Sequence, residues 1–400
     1  MTVSLIALGA GAQTLTAEAA QALQGAGLVV GAQRLLQLLP PGVTPNRVAA
    51  VRTEELARCI LQSGQKQVAA VFSGDVGFYS GAGLLAQRLA QSGTQCRWYP
   101  GVSSLQLLAA RLGCAWQNWL LASAHGRACD PVPYVMQGKS VLFLTGGENT
   151  AAVLCQKLAA AGLGALPCCA GQSLGTPQES ILHGTAAQLA QRQFDPLTVL
   201  LAGPAPQPLA QYGPWLPDDV FIRGKTPMTK QLVRAAVLAK LGVTADDVCW
   251  DIGAGTGSVA IEMARQCCFG RVYAVEKKPE ALALLEENRR RLHADNVIPV
   301  PGAGPESCQD LPAPTHVFIG GSGGNLREIL ALAREKNPKV RIVAAAIALE
   351  TVAELDKCRK ELDFAHTEVS CLTAAQGHPA GPYTLMQGQN PVYLFTFQGD

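Results

Sequence analysis

The chain has 400 residues, 48% of them hydrophobic and 16% charged, with a net charge of +2. That is apolar material for two or three cores. It is too little positive charge for a nucleic-acid footprint, and no apolar run approaches membrane-spanning length. The 13 cysteines are scattered, with no C-x-x-C pair and no Cys/His cluster at zinc-ligand spacing. Reduced thiols in a reducing cytosol, and no metal, are expected. The opening Met1–Gly9 lacks a basic region and reads as a strand rather than a signal peptide, so a cytoplasmic protein is expected.

Val3–Leu8 reads as a buried strand, and Thr14–Leu23 as a helix capped by Thr14 or Thr16. Leu28–Val30 and Gln67–Phe72 read as further strands, and Leu105–Leu112 as a helix. Strands alternating with helices predict a largely parallel sheet, whose ligands sit outside the carboxyl ends of the strands. Gly9-Ala10-Gly11, Ser73–Gly81 and Pro100–Ser104 each follow a predicted strand. Any one of these loops is more often a plain turn. Three together are expected to line one cleft. Ser140–Thr145, Thr150–Ala161 and Leu197–Leu201 then read as strand, helix and strand of a second α/β half. The proline-rich stretch from Gly203 to Asp219 reads as a connection. The expected division is a first domain over 1–205, a linker over 206–219 and a second domain over 220–400.

A helix over Gln231–Leu241 leads to Val248–Gly257, where an apolar run ends in Asp251 and Gly253, Gly255 and Gly257 follow at every second position. Helical spacing resumes at Ser258. This is strand, tight turn, helix, with glycines that permit positive φ and close approach of a ligand to the backbone. The next apolar run, Arg271–Val275, ends at Glu276, placed to accept both hydroxyls of a ribose. A ligand-free turn, a nicotinamide dinucleotide site and an S-adenosylmethionine (SAM) site compete here. The dinucleotide fingerprint is G-x-G-x-x-G. The Asp-x-Gly-x-Gly-x-Gly spacing here does not fit that fingerprint.

Beyond Glu276, Pro279–Leu292 reads as a basic amphipathic helix. Its Arg289-Arg290-Arg291 run is expected on a solvated face rather than on nucleic acid. Asn296–Glu306 carries Gly302 and Ala303, and His316–Leu326 runs as a strand into Gly320-Gly321-Ser322-Gly323-Gly324 and a helix, a start that favours anionic groups. Gln389–Phe395 reads as a final strand.

Residues 3 to about 200 resemble the tetrapyrrole methylases. The matching pieces are Leu8-Gly9-Ala10-Gly11, Gly31-Ala32-Gln33-Arg34, Ser73-Gly74-Asp75-Val76-Gly77-Phe78-Tyr79-Ser80, Pro100-Gly101-Val102-Ser103-Ser104, Ser123-Ala124-His125-Gly126-Arg127 and Leu174–Glu179. Ser73–Ser80 resembles the branch acting on ring carbon 5 of a precorrin. Ala12 and Gln13 depart from that family's first loop, which usually reads G-x-G-P-G-D. Asp251–Gly257 resembles the first motif of Rossmann-like SAM-dependent methyltransferases. Residues from about 220 to 398 resemble the precorrin methylases that act on ring carbon 15 and remove a carboxylate. Those pieces are Thr226–Lys230, Asp251–Gly257, Gly302–Glu306, Gly320–Gly324 and Asn390-Pro391-Val392-Tyr393. Ala303 stands where relatives often carry aspartate.

The resemblance implies an α/β chain in which a tetrapyrrole methylase fold of two α/β subdomains precedes a Rossmann-like SAM-dependent methyltransferase fold. It implies two SAM sites. The first is expected on Gly9, Gly11, Ser73, Gly74, Asp75, Tyr79, Ser103 and Ser104. The second is expected on Thr229, Asp251, Gly253, Gly255, Gly257, Glu276, Gly302 and Ala303, with Gly320, Gly321, Ser322 and Gly323 toward the substrate. Asp251 should fix the glycine turn and the methionine amine of SAM, and Glu276 the ribose. His125 is the candidate for proton transfer, although a lone histidine is more often structural. The implied reaction is methylation of precorrin-6B, or its cobalt form, at ring carbons 5 and 15 with loss of an acetate carboxylate in vitamin B12 biosynthesis. A tetrapyrrole substrate is expected, with neither nucleic acid nor membrane as partner, and a homo-oligomer. A nucleic-acid methyltransferase, a NAD-dependent oxidoreductase and a non-catalytic SAM sensor stand as alternatives.

Overall fold

A computed structural model describes residues 1–10, 14–205 and 213–400. Gly11 and residues 206–212 of the expected linker lie outside the described residues. The chain divides into two units, Met1–Pro206 and Gln207–Asp400.

The first unit holds two five-stranded sheets. One contains β1 (Thr2–Ala7), β2 (Leu28–Gly31), β3 (Arg47–Ala49), β4 (Gln67–Phe72) and β5 (Gln95–Tyr99) in the order β3-β2-β4-β1-β5. All its pairings are parallel. Parallel strands need both faces covered. Val3, Leu5 and Ala7 point into one apolar cluster and Ile6 and Leu8 into another, the period-2 alternation of a strand. The first helix runs Ala17–Gln24, later than Thr14, with the Thr16 hydroxyl accepting from the Ala19 amide as its cap.

The other sheet contains β6 (Leu120–Ser123), β7 (Val141–Leu144), β8 (Pro167–Gln172), β9 (Ser180–Thr185) and β10 (Thr198–Ala202) in the order β6-β7-β10-β8-β9. Only β6–β7 is parallel; the other three pairings are antiparallel. A single cluster ties the halves, with Leu105 and Leu108 of the helix Ser104–Leu112 against Leu142, Cys169 and Val199 of this sheet.

The second unit is built on one seven-stranded sheet, order β13-β12-β11-β14-β15-β19-β16. Its strands are β11 (Val248–Ile252), β12 (Arg271–Glu276), β13 (Val297–Pro301), β14 (His316–Ile319), β15 (Arg341–Ala346), β16 (His366–Leu372) and β19 (Val392–Gln398). β19 is the antiparallel insertion, paired with β15 and β16. Cys249 and Trp250 enter opposite apolar clusters, one on each face. Between β16 and β19 a separate hairpin, β17 (Ala375–Ala380) and β18 (Tyr383–Gly388), stands off the sheet.

The end of the expected linker is not free chain. Leu216 and Val220 are buried in the core of the second unit, packed with Val233, Val237 and Met263. Burying a leucine side chain contributes roughly 1.5–3 kcal/mol, so this proline-rich stretch is held by its apolar residues. Among the described residues no helix is long and apolar enough to cross a membrane, and all thirteen cysteines are free thiols.

Candidate functional sites

In the first unit, β4, β1 and β5 are adjacent, and their register ends all three at one level: Ala7 stands beside Phe72, and Ile6 beside Tyr99. The loops that follow are therefore forced together. Gly9 and Gly74 exchange backbone hydrogen bonds of 3.1 and 2.9 Å. Gly101 is wedged against them, so that a Cβ there would lie 2.6 Å from the Gly74 carbonyl oxygen and 2.7 Å from the Ala7 Cβ. Asp75 fastens the junction: one carboxylate oxygen accepts the Gly77 amide at 2.8 Å, the other the Gly101 amide at 3.0 Å.

Ser103 is buried and caps the helix that begins at Ser104, with Gln106 returning a bond to its amide at 2.8 Å. Gly175, at φ +78°, comes from the second half and lies against the Ala10 carbonyl. The Gly175 amide donates to Glu179, and Arg111 pairs with the same carboxylate at 2.6 Å. The Arg111 bond and the Gly175 amide together hold the Glu179 pKa below the usual carboxylate range. Tyr79, at φ +48°, reaches from the first half to donate its hydroxyl to the Leu121 carbonyl at 2.8 Å.

Of the expected residues of the first unit, Gly9, Gly74 and Asp75 meet at this junction, but several of the set act on the protein itself. Asp75 stitches loops, Ser103 caps a helix, Tyr79 clips the two halves and Ser73 stands exposed at the loop start. What meets at the junction of Gly9, Gly74 and Gly101 is backbone. His125 lies elsewhere, past the end of β6. Its Nδ1 is 3.2 Å from the Thr145 carbonyl, so that ring nitrogen is engaged with the protein's own backbone. Any side chain at Gly146 would overlap the imidazole.

In the second unit, β13, β12, β11 and β14 are adjacent and end together, with Ile252 beside Val275 and Ile319, and Glu276 beside Pro301. Their loops enclose a cavity of about 1000 Å³. Thr229, Asp251, Gly253, Gly255, Glu276, Gly302, Ala303 and Gly320 to Gly323 all line it. Gly257 does not. It is buried, and a Cβ there would lie 2.9 Å from Leu285 Cγ, so its lack of a side chain lets the next helix pack. Gly253 needs φ +74° and packs backbone to backbone on Gly321, with 2.6 Å between its virtual Cβ and the Gly321 oxygen. The glycine turn and the second glycine loop are therefore one structure.

The two acids of this site differ. Glu276 accepts the Gly255 amide and the Lys278 amide, each at 2.9 Å, and so holds the glycine turn. Asp251 is 1% exposed, and no protein donor completes a hydrogen bond of normal geometry to either oxygen, although the Ala260 amide lies close enough to act on its charge. Burial pushes its pKa up to about 7, against a downward pull from the Ala260 amide, and the Glu276 charge adds to the rise. A buried carboxylate without a partner is costly. This one sits at the cavity wall, where a cationic ligand would supply the missing partner. An ammonium group fits that donor set.

Residues outside the motifs hold the site in place. Arg234, fully buried in the helix Gln231–Leu241, donates to the Thr229 carbonyl at 2.6 Å, to Asp218 at 2.8 Å and to the Leu216 carbonyl at 2.5 Å. It also pairs with buried Glu262 at 3.4 Å. Asn288, also fully buried, bonds both backbone groups of Ile222 and the Thr256 carbonyl. Neither residue carries a local signal, because most of their partners are distant in sequence. Of the basic run, Arg289 and Arg290 pair with Glu286 at 2.8 and 2.7 Å.

Comparison with known proteins places the two units separately. Residues 2–190 match the family model of the tetrapyrrole (corrin/porphyrin) methylases, and residues 219–398 that of the precorrin methyltransferase domain. The chain is 39% identical over 186 residues to the "Probable cobalt-precorrin-6B C(15)-methyltransferase (decarboxylating)" of Pyrobaculum calidifontis, covering 46% of this chain and 95% of that protein. It is 37% identical over 190 residues to the cobalt-precorrin-6B C(15)-methyltransferase (decarboxylating) of Salmonella typhimurium, covering 45% and 94%. Against the precorrin-6Y C(5,15)-methyltransferase [decarboxylating] of a Sinorhizobium species it is 29% identical over 344 residues, 84% of this chain and 82% of the relative.

Proposed function

The chain belongs to the precorrin methyltransferases, with a tetrapyrrole methylase domain ahead of a precorrin methyltransferase domain, and we propose that it methylates one precorrin at ring carbons 5 and 15 and removes an acetate carboxylate. The first unit would methylate carbon 5. The second would methylate carbon 15 and release carbon dioxide. Each would hold its own SAM. The observation that carries the reading is Asp251, a fully buried, unpartnered carboxylate on the wall of a cavity built by four strand ends. The cofactor's methionine portion carries the ammonium that such a group lacks. With this family at hand, neither the dinucleotide nor the nucleic-acid alternative has an observation in its favour.

SAM supplies a methyl group already activated on a sulfonium, so the reaction asks for no protein nucleophile. What the chain supplies is position and dryness. Asp251 receives the ammonium. Glu276, already fixed by two amides, offers its remaining lone pairs to the ribose hydroxyls. Gly255 keeps that approach open, since the Pro227 carbonyl lies only 3.3 Å from where its Cβ would stand. Gly320 to Gly323 face the substrate side, and their amides suit a carboxylate. As the carbon–carbon bond to that carboxylate breaks, the conjugated ring takes up the electron pair and a proton later quenches it. In the first unit the junction of Gly9, Gly74 and Gly101 presents backbone without side chains, an arrangement that suits close approach of a ligand.

Incubation with methyl-labelled SAM and the precorrin tests this directly. Two labelled methyl groups and one carbon dioxide per product molecule are expected by mass spectrometry. A single methyl group, or methylation without carbon dioxide, overturns the two-site reading.

A further inference from the structure

The hairpin β17–β18 grows out of the β16–β19 ladder. Leu372 pairs with Val392, the Gln389 amide donates to the Ala374 carbonyl at 2.8 Å, and Ala375 then pairs with Gly388. The end of β15 fixes the direction of this growth. Ala346, the last residue of β15, pairs with Tyr393, so the hairpin continues past the carboxyl ends of the strands, where the cavity lies. Every residue of both its strands is exposed.

Register sorts the two faces. Gln376 is opposite Gln387, His378 opposite Leu385 and Ala380 opposite Tyr383. Opposed residues share a face, and faces alternate along a strand. Gln376, His378, Leu385, Tyr383 and Gln387 therefore stand on one side, and Met386 and Thr384 on the other. Gln376, His378 and Gln387 line the cavity, so the first side is the one that meets it. Leu385 and Tyr383 continue that side outward, 61% and 72% exposed.

We propose that this face of the hairpin is the outer wall of the second unit's tetrapyrrole site, with Leu385 and Tyr383 against the flat of the macrocycle and Gln376, His378 and Gln387 toward its side-chain carboxylates. The inference rests on the function proposed above and extends it to the substrate. Three things favour this occupant. The apolar face is continuous with the cavity rather than separate from it. The cavity, at about 1000 Å³, is at the upper end of small-molecule sites of roughly 300–1,000 Å³; a cofactor and a macrocycle together exceed it, so part of the ring must lie on the rim. Charge is layered as well, with the carboxylates of Asp251 and Glu276 buried inside and exposed Lys277 and Lys278 at the mouth. That layering draws an ammonium inward and holds a polycarboxylate outside. An isolated two-stranded hairpin is marginal in water, so a ligand laid along it would also order it.

The test uses the full chain with Leu385→Ser/Tyr383→Ser, and Met386→Ser as the opposite-face control. All three positions are exposed, so folding should be unchanged. The double variant should raise KM for the precorrin in carbon dioxide release roughly tenfold or more, the scale of lost apolar contacts in a specificity pocket. The kcat, the calorimetric affinity for S-adenosylhomocysteine and the mass by light scattering should not move. Met386→Ser should leave KM unchanged. Hydrogen exchange of residues 375–388 should slow on adding precorrin and not on adding S-adenosylhomocysteine alone. An unchanged KM in the double variant, an equal effect from Met386→Ser, or a change of mass that marks the hairpin as a contact between copies of the chain each overturns the proposal. Wild-type chain that releases no carbon dioxide fails the parent reading, and this one with it.

Discussion

The two units solve the same problem with opposite uses of an aspartate. Each has small-residue loops at the ends of adjacent parallel strands, and each has an acid just after or at a strand end. In the first unit Asp75 is consumed: both oxygens hold loop amides together. In the second unit the loops are held by backbone packing of Gly253 on Gly321 and by Glu276, and Asp251 is left buried and unpartnered. One site is shaped by a charge that has been used up, the other keeps a charge in reserve. A motif aspartate thus says little about binding until its hydrogen bonds are counted.

The sharpest break in this comparison is Asp251→Asn. Removing one partner of a buried ion pair costs about 3–5 kcal/mol, so SAM affinity in the second unit should fall by roughly a hundredfold or more. Carbon-15 methylation and carbon dioxide release should go with it, and the first unit should be untouched. The free protein should behave the other way. The Asp251 pKa is about 7 when folded and 3.8 as its ordinary value. Between those values the unfolded chain is ionised while the folded chain keeps its proton, so stability falls as pH rises, and the whole loss is present above pH 7. The size is on the order of 4 kcal/mol. Asp251→Asn should therefore raise the melting temperature of the ligand-free second unit at pH 8 and leave it unchanged near pH 3.5. A variant less stable at pH 8 would mean that Asp251 has a protein partner after all.

The counterpart in the first unit is Gly101→Ala. A single methyl would meet the Gly74 carbonyl at 2.6 Å, which is overpacking worth about 1–3 kcal/mol. It would pry apart the junction itself rather than merely crowd the cleft, so even this smallest side chain should suffice. Carbon-5 methylation should be lost while the second unit still releases carbon dioxide. Loss of carbon dioxide release with carbon-5 methylation intact would reverse the assignment of the two chemistries.

These contrasts also mark what was legible in the sequence. Glycines at forced positive φ, such as Gly253 and Gly255, are local necessities, so the glycine turn and its companion Glu276 could be read in advance. The strand ends and the grouping of loops followed from alternation of strand and helix. The antiparallel pairings of β10, β8 and β9 did not, because their runs look the same in either direction. Trp215–Asp219 read as linker because prolines dominate it, whereas Leu216 and Asp218 are held by Arg234, whose burial no window of sequence reveals. The hairpin 375–388 went unread because neither face is buried, which leaves no alternation to detect. Gly257 fitted the motif's spacing and serves helix packing instead.

The reserve charge makes a milder prediction that separates the sites without mutation. An ammonium bound by Asp251 requires the ionised carboxylate. Below a pKa of about 7 the affinity of the second unit for SAM should fall about tenfold per pH unit, and near neutrality binding should release a proton. Calorimetry in two buffers of different ionisation enthalpy would show it. Among the described residues the first unit shows no such reserve: Asp75 is spent on amides and Glu179 is held low by Arg111 and Gly175. Its affinity should be flat from pH 6 to 8. Equal slopes at the two sites would erase the distinction.

The smallest effect tests the other side of the comparison. Asp75→Asn keeps one oxygen to accept an amide and turns the second acceptor into a donor facing the Gly77 or Gly101 amide. One of the two stitches is lost, at about 1.5–3 kcal/mol for a bond to a charged acceptor. If Asp75 is a stitch, the melting temperature of the first unit should drop, and SAM affinity there should weaken only severalfold, through looser loops. Bound S-adenosylhomocysteine should then recover part of the lost melting temperature, because ligand favours the closed junction. If Asp75 is instead a direct cofactor ligand, as its motif alone suggested, affinity would collapse with the melting temperature of the free protein unchanged. The ratio of the two effects decides which description holds, and the geometry of 2.8 and 3.0 Å to two loop amides puts the larger share on stability.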